Sequence, residues 1–326
     1  MKQIAEFNHP PGHNAIVLMC VIRDEELLLP AFVAHYQSLG VSHFVFVDNG
    51  SNDNSVNYLQ NLTDAPVQLW EATNSYADND FGMNWINQLL KSRFRHAWCV
   101  VVDSDEFLVP RQGSLVKLRS DMLRQGHNVA QCILVDFYPN AIDPDPQPLR
   151  EQFDPFKHSP HYDGFVDENH YYQDQSGDGS FVLKGGMRHR VYVEGVANLN
   201  SVCLNKKSFF YNDFSESLRL SAGMHWLFPN DSRNWNRAEQ ERSRQWISYT
   251  EDISLIAHFK FVRPNLREFF RQRVERNQDW DNSREYRNYL ENFRVSFHCP
   301  GVSRKFSNAR ALYGDTIDSL KDITTR

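Results

Sequence analysis

The chain has 326 residues, with 35 Lys+Arg against 41 Asp+Glu and a formal net charge of -6. So mild an acidity argues against a general nucleic-acid binder, which needs a strong basic excess. The 41% hydrophobic and 23% charged content is that of a globular chain with a real core, not a disordered one. The aromatic share is high, 23 Phe, 13 Tyr and 7 Trp. It implies a thick core, or platforms for flat ligands such as bases and sugar faces. Five cysteines match no CxxC or zinc spacing, and Cys20, Cys99 and Cys132 lie in apolar runs, so buried free thiols are expected. The N-terminal MKQIAEFNHPPGHN lacks a signal-peptide core, and the longest apolar run, Ala15 to Ile22, is far short of the ~20 residues that span a bilayer. A cytoplasmic protein follows, with peripheral attachment at the inner face of the membrane as a further reading.

In chain order, AIVLMCVI (Ala15–Ile22) reads as a buried strand, and a helix runs on to Leu39, stopped by Gly40. His43–Val47 is a second strand, ending in DNGSND. A short helix follows with Val56 and Leu59 inward, then a strand at Val67–Trp70. Asp80–Phe94 has a helical apolar face carrying Phe81, Trp85 and Leu89. Ala97–Val102 is a strand running into Asp103-Ser104-Asp105-Glu106; Ser114–Gln125 is a helix and Val129–Phe137 a strand. Such alternation predicts an α/β fold, a Rossmann-like, mostly parallel sheet with helices on both faces. In such sheets ligands bind beyond the carboxyl ends of the strands, which is where the acidic clusters fall.

Residues 138–180 hold six of the 14 prolines and nine Asp/Glu but two Lys/Arg, with no apolar period. They read as a lid or binding loop, or as a surface insertion. Beyond them Met187–Val193 alternates like a strand, Ser201–Tyr211 reads as a strand or hairpin, Ile253–Val262 as an apolar strand, and Pro264–Gln278 as a helix. Three parts follow: 1–137, 138–180 and 181–326.

Four motifs can carry chemistry. In VVDSDEFL, Asp103 and Asp105 are two apart on an extended segment and project to one side, a hard oxygen site for Mg²⁺ or Mn²⁺. The plain alternative is a solvated loop. In FVFVDNGSNDNS, Asp48 can accept hydrogen bonds from a base or ribose, or it can only shape the turn, while Asp53 and Ser55 read as caps. HFKF puts His258 and Lys260 on one side of a strand, suited to a metal and a phosphate, or His258 is a satisfied core histidine. GGMRHR offers close backbone approach and Arg188 or Arg190 for phosphate, or it is a hairpin turn with exposed arginines. The run Lys260 to Arg276, six Lys/Arg against two Asp/Glu, reads as a packed helix with a solvated basic face, or as a contact for anionic lipid headgroups.

Taken together, VIRDEELLLPAFVAHYQSLGVSHFVFVDNGSNDNS, SYADNDFGMNWINQLL, WCVVVDSDEFLV, LVDFYPN, GGMRHR and LIAHFKF resemble, in order, family-2-type glycosyltransferases with the GT-A fold, in the bacterial branch related to the family 92 group. The resemblance covers roughly residues 15 to 290. It implies that 1–137 is a nucleotide-sugar-binding half, 138–180 an acceptor or lid loop, and 181–326 a mixed acceptor-side and C-terminal helical region of one catalytic unit. The implied reaction is a metal-dependent transfer, with Mn²⁺ or Mg²⁺, from a nucleotide-sugar donor (a UDP-sugar first) to a glycan or lipid-linked glycan in bacterial surface-glycan assembly. By position, Arg23 would floor the nucleotide pocket and Asp48 would meet uracil or ribose. Asp103 and Ser104 would contact the nucleotide sugar, and Asp103, Asp105 and His258 the metal. Arg188 and Lys260 would meet the diphosphate. The family's usual inverting mode needs a carboxylate base; Asp136 is the first candidate, then Glu168 and Asp167. A QxxRW-type motif is absent, which argues against a processive polymerase. Rival readings are a nucleotidyltransferase, a phosphatase with a nucleophilic aspartate, and a nucleotide-sugar-binding module without catalysis.

Overall fold

The computed structural model describes residues 1–142, 153–165, 171–175, 181–193, 202–232 and 237–324. Seven strands form in the first 138 residues: β1 (Lys2–Ala5), β2 (Ile16–Ile22), β3 (His43–Asp48), β4 (Val67–Glu71), β5 (Trp98–Val101), β6 (Glu106–Val109) and β7 (Val129–Tyr138). Between them lie α1 (Leu29–Ser38), α2 (Ser55–Gln60), α3 (Met83–Ser92) and α4 (Leu115–Gln125). The main sheet runs β1, β4, β3, β2, β5, then Phe209–Tyr211, β7, Tyr249–His258 and β6. The junctions β4–β3, β3–β2 and β2–β5 are parallel, as is β7 with Tyr249–His258. The expected α/β sheet is therefore present, and the later strands and β6 add antiparallel members.

Helices on both faces follow from the alternation of side chains along a strand. In β2, Ile16, Leu18 and Cys20 join one core with α1 and α4, while Val17 and Met19 join another with α3. Phe44 and Phe46 of β3 face the first core, Val45 and Val47 the second. α4 begins with Ser114 accepting from the Lys117 amide and ends at Gly126, whose φ of 74° is the left-handed conformation that suits glycine. A third core is rich in aromatics: Tyr138, Tyr192, Phe261, Phe270, Tyr286, Tyr289 and Phe297 pack where the C-terminal helices meet the sheet. The first core holds more aromatics still, among them Phe32, Phe46, Phe107, Phe137 and Phe259. All five cysteines are free, and Cys20, Cys99 and Cys132 are buried. Among the described residues no helix is long and apolar enough to cross a membrane.

Three expectations need correction. Met187–Val193 is not a strand: a helix spans Gly186–Tyr192. Gly185 and Gly186, at φ 126° and 82°, end the strand Phe181–Gly185 and turn the chain, so Met187, Arg188 and Tyr192 face inward at helical spacing. The stretch 138–180 is not uniformly irregular. Pro155–His158 is a short helix capped by Asp154, and His161–Asp163 pairs with β7 and with Ser303–Lys305. These elements are too short for a period to be read. Finally, residues 102–105 are a tight turn rather than an extended segment, closed by the Glu106 amide on the Asp103 carbonyl at 3.0 Å. That turn carries the chain from β5 in mid-sheet to β6 at the margin, along the carboxyl edge.

Candidate active site

The acidic loops after β2 and β3 lie side by side and bind each other. Asp24 and Glu26 accept from the amides of Asn52 and Asn54, at 2.7 and 3.0 Å. In return Ser51, Asp53 and Ser55 accept from the amides of Asp24, Glu26 and Glu25. Asp48 is consumed in its own turn: its oxygens accept from the amides of Gly50 and Ser51 and from the Ser51 hydroxyl. It does not line the cavity beyond the strands, whereas Asn49 does. Three donors already bind the two Asp48 oxygens, the arrangement of the turn-forming alternative rather than of the expected contact to base or ribose.

The turn after β5 faces outward. In the sheet register His258 stands opposite Asp136 of β7 on one side and Glu106 of β6 on the other, so the three form a row at the sheet's end. The Phe259 amide donates to the Asp105 carbonyl at 2.7 Å, pinning the turn to the end of the strand Tyr249–His258. His258 Nε2 lies 3.5 Å from Asp105 Oδ2, and its Nδ1 lies 2.7 Å from Asp136 Oδ1. Burial works against the imidazolium, but the two carboxylates outweigh it and raise His258 to about 9. Burial would raise Asp105 too, yet His258, Lys260 and Arg263 hold it below the usual carboxylate range.

Asp136 is fully enclosed. None of its side chain is exposed, and its oxygens take Arg188 Nε at 2.9 and 3.0 Å besides His258. Despite burial, Arg188 and His258 hold it well below the ordinary carboxylate range. A general base must reach the proton it removes, and nothing outside the protein reaches this carboxylate. The expectation that Asp136 is the base conflicts with that geometry; it orients His258 and neutralises Arg188. Glu168 and Asp167 lie outside the described residues. Arg188 is likewise buried, paired through Nη1 with Glu285 at 3.3 Å, and Arg190 pairs with Asp163 at 2.8 Å rather than standing exposed. Gly186, at φ 82°, lets the chain turn beside Asp136 Oδ2, 3.6 Å from where a Cβ would stand.

The turn, the strand end and the C-terminal helices enclose a cavity. Of the residues singled out from the sequence, Arg23, Asp103, Ser104, Asp105, His258 and Lys260 line it. Arg263, Arg273 and Arg276 line it too, which the sequence reading missed by assigning the basic run to a solvated face. They belong to the run before and along the helix Leu266–Arg276. Each has one acidic partner: Glu25 for Arg263, Asp279 for Arg273, Asp24 for Arg276. Arg23 has no ion-pair partner among the described residues, and its buried Nε has no acceptor there. Burial lowers its pKa, and Arg276 and Arg273 add repulsion. A half-buried guanidinium whose enclosed Nε lacks an acceptor favours an incoming anion.

A second cavity opens beside the first and shares Tyr76, Asp103, His258, Lys260, Asp279 and Tyr286 with it. Lys260 joins the two: its Nζ donates to Glu285 Oε2 at 2.8 Å and lies 4.8 Å from the Tyr286 ring. Asp103 is 44% exposed, with Lys206 Nζ at 3.6 Å; the same lysine pairs with buried Glu106 at 2.7 Å. Lys206, Glu106 and Glu285 were also missed. Only a charged lysine between polar residues near Asn205 could have pointed to the first. Its partner is a hundred residues away in sequence.

A divalent cation fits this donor set in part. Asp105 and His258 present an oxygen and a nitrogen to one point, Asp103 stands in the same turn, and the His258–Asp136 bond is the usual support of a ligating imidazole. Among the described residues no three His, Cys, Asp or Glu are gathered as a metal cluster, so water or substrate oxygens would have to complete the shell.

A family model described as Glycosyltransferase family 92 matches residues 16–139, the segment that carries β2 to β7 and the turn 102–105. No curated protein matches the sequence. Among solved structures the chain is similar to HddC from Yersinia pseudotuberculosis, at 8% identity over 75% of this chain and 93% of that one, with a TM-score of 0.36. It is similar also to a 4-diphosphocytidyl-2C-methyl-D-erythritol synthase, at 10% identity over 75% and 89%, with a TM-score of 0.32. Likenesses this distant carry no functional argument; the family match is what supports glycosyl transfer as the class of reaction.

Proposed function

We propose that the protein is a metal-dependent glycosyltransferase of GT-A type that moves a sugar from a nucleoside-diphosphate sugar, a UDP-sugar first, to an acceptor hydroxyl with inversion. The observation that carries this reading is the single cavity where the Asp103–Asp105 turn meets His258, Lys260 and four arginines. Such a set suits a diphosphate: guanidinium forks match phosphate oxygens. The role in bacterial surface-glycan assembly is carried over from the sequence resemblance.

In this reading Asp105 and His258, with Asp103, would hold Mn²⁺ or Mg²⁺. Held there, the ion would supply positive charge to offset the diphosphate and the departing nucleotide. Arg23, Arg273 and Arg276 bind phosphate oxygens, and Lys260 exchanges Glu285 for the diphosphate. Despite burial, Lys260 and Arg188 hold Glu285 down to about 2 while both are paired with it; once Lys260 has left it, Glu285, 39% exposed on the second cavity's wall, is a stronger base and takes the acceptor's proton. The acceptor oxygen bonds to the anomeric carbon as that carbon's bond to the phosphate oxygen breaks. Asp136 and Arg188 act as positioning residues.

Calorimetric titration of UDP tests the reading. Binding should depend on Mn²⁺, vanish with excess chelator, and weaken about 100-fold in Asp105→Ala, roughly 2.7 kcal/mol. UDP affinity unchanged by chelator and by that substitution would overturn the metal claim. Pyrophosphate release from a nucleoside triphosphate and a sugar phosphate would turn the reading to nucleotidyl transfer.

A further inference from the structure

Lys206 takes no part in the reaction proposed above. It sits on a short strand, Asn205–Lys206, paired with Ile133 and Cys132 of β7. Asn205 fixes that strand from two sides. Its side-chain oxygen accepts from the Leu183 amide at 2.6 Å, and its carbonyl lies 2.6 Å from His225 Nδ1. The Lys206 side chain is 3% exposed, and its ammonium stands between two carboxylates, 2.7 Å from Glu106 and 3.6 Å from Asp103. Burial works against the ammonium, and Glu106 and Asp103 keep it charged. Glu106 binds the turn as well: its other oxygen accepts from the Asp103 amide at 3.3 Å. One buried carboxylate thus holds both the lysine and the turn, whereas Asp103 lines both cavities.

We infer that Lys206 is a positioning residue that couples the divalent cation to the nucleotide: it holds the Asp103 carboxylate, competes with the metal for it, and yields it when a diphosphate arrives. This rests on the metal-dependent reading above and adds the residue that makes one ligand depend on the other. A cation accepted by Asp103 alone meets a fixed ammonium a few ångströms away, and in a partly buried site that repulsion exceeds its value in water. Lys206 is not free to swing out, because its strand is paired with β7 and its ammonium with Glu106. The described residues gather no ready-made metal cluster to outweigh the repulsion. A diphosphate on Arg23, Arg273 and Lys260 would bring negative charge to the same cavity. Metal and nucleotide then raise each other's affinity by one common factor, as linkage requires. A pair that only packed the core would be complete with Glu106. The lysine's second carboxylate is the one that lines the cavities.

The test is Mn²⁺ binding, read from the electron paramagnetic resonance of the free ion, with and without UDP, in wild type, Lys206→Gln, Glu106→Gln and Asp105→Ala. Glutamine at 206 can still donate to Glu106 but carries no charge. Wild type should bind Mn²⁺ weakly alone and at least tenfold more tightly with UDP. Lys206→Gln should bind Mn²⁺ alone at least fivefold more tightly than wild type, and UDP should then add less. Glu106→Gln leaves the ammonium uncompensated. It should weaken binding of Mn²⁺ alone at least fivefold and return to within threefold of wild type once UDP is present. Weaker binding in both variants, with and without UDP alike, would mean that the pair only supports the turn, and overturns the inference. Lys206→Gln binding Mn²⁺ no more tightly than wild type overturns it too. If Lys206→Gln does not melt as a folded protein, Glu106→Gln decides alone: weakening that UDP fails to relieve overturns the inference. No Mn²⁺ binding by wild type under either condition removes the metal reading and this inference together. Binding that Asp105→Ala abolishes and Lys206→Gln does not tighten overturns the inference and leaves the reading standing.

Discussion

The loops after β2 and β3 and the turn after β5 are all rich in carboxylates, and all lie beyond the carboxyl ends of parallel strands. Their carboxylates face different things. Glu26, Asp48 and Asp53 bind backbone amides of their own or the neighbouring loop, and Asp24 gives one oxygen to the Asn52 amide and the other to Arg276, so most of this charge is spent on shaping the edge. Asp105 faces His258, and behind it runs a chain of alternating charge: Asp136, Arg188, Glu285, Lys260. Those partners come from four separate elements. The lesson is that an acidic cluster at a strand end is informative only once its partners are known. Amides nearby make it structure; cations from afar make it a site.

Breaking the long-range chain should have the largest effect. Asp136→Ala leaves Arg188 buried beside only Glu285, and removal of one partner of a buried pair costs about 3–5 kcal/mol. Urea unfolding of the single variant and of Asp136→Ala with Arg188→Met would measure it, and the double variant should recover part of the loss. A loss under about 1 kcal/mol would mean the chain is not the structural element described here.

Acid should separate the two regions next. Burial lowers His35, on α1, to about 4 and His225, in the second cavity's wall, to about 3, so both are neutral at pH 7. Both lie below the ordinary value near 6.5, so their contribution is present above that pH and is lost as pH falls toward the folded values. The loss is up to roughly 3 kcal/mol each by pH 4. Unfolding free energies measured from pH 7 to 4 should show it, with His35→Gln and His225→Gln each flattening the slope by about one proton. A slope unchanged in both variants would assign the acid loss to carboxylates instead.

The smallest effect belongs to the local loops. Asp48→Ala should cost about 1–2 kcal/mol, because two amides and a hydroxyl lose their acceptor. It should leave Mn²⁺-dependent UDP binding within twofold. A tenfold weaker affinity with normal stability would restore Asp48 to the binding site and erase the contrast between the two loops.

The sequence by itself determined the alternating strands and helices of the first 138 residues, the two-sided burial of β2 and β3, and the placing of Asp103 and Asp105 at the sheet's ligand-binding edge. Those features are written in local periodicity, which reports burial directly. It also marked His258 and Lys260 as a pair needing partners. Tertiary structure alone decided which partners they have. Asp136 looked free at a strand end until Arg188 and His258 enclosed it. The basic run looked solvated until Arg263, Arg273 and Arg276 proved to wall the cavity. A charge's role depends on which charges the fold brings within a few ångströms, and that pairing spans a hundred residues or more, beyond the reach of any local pattern.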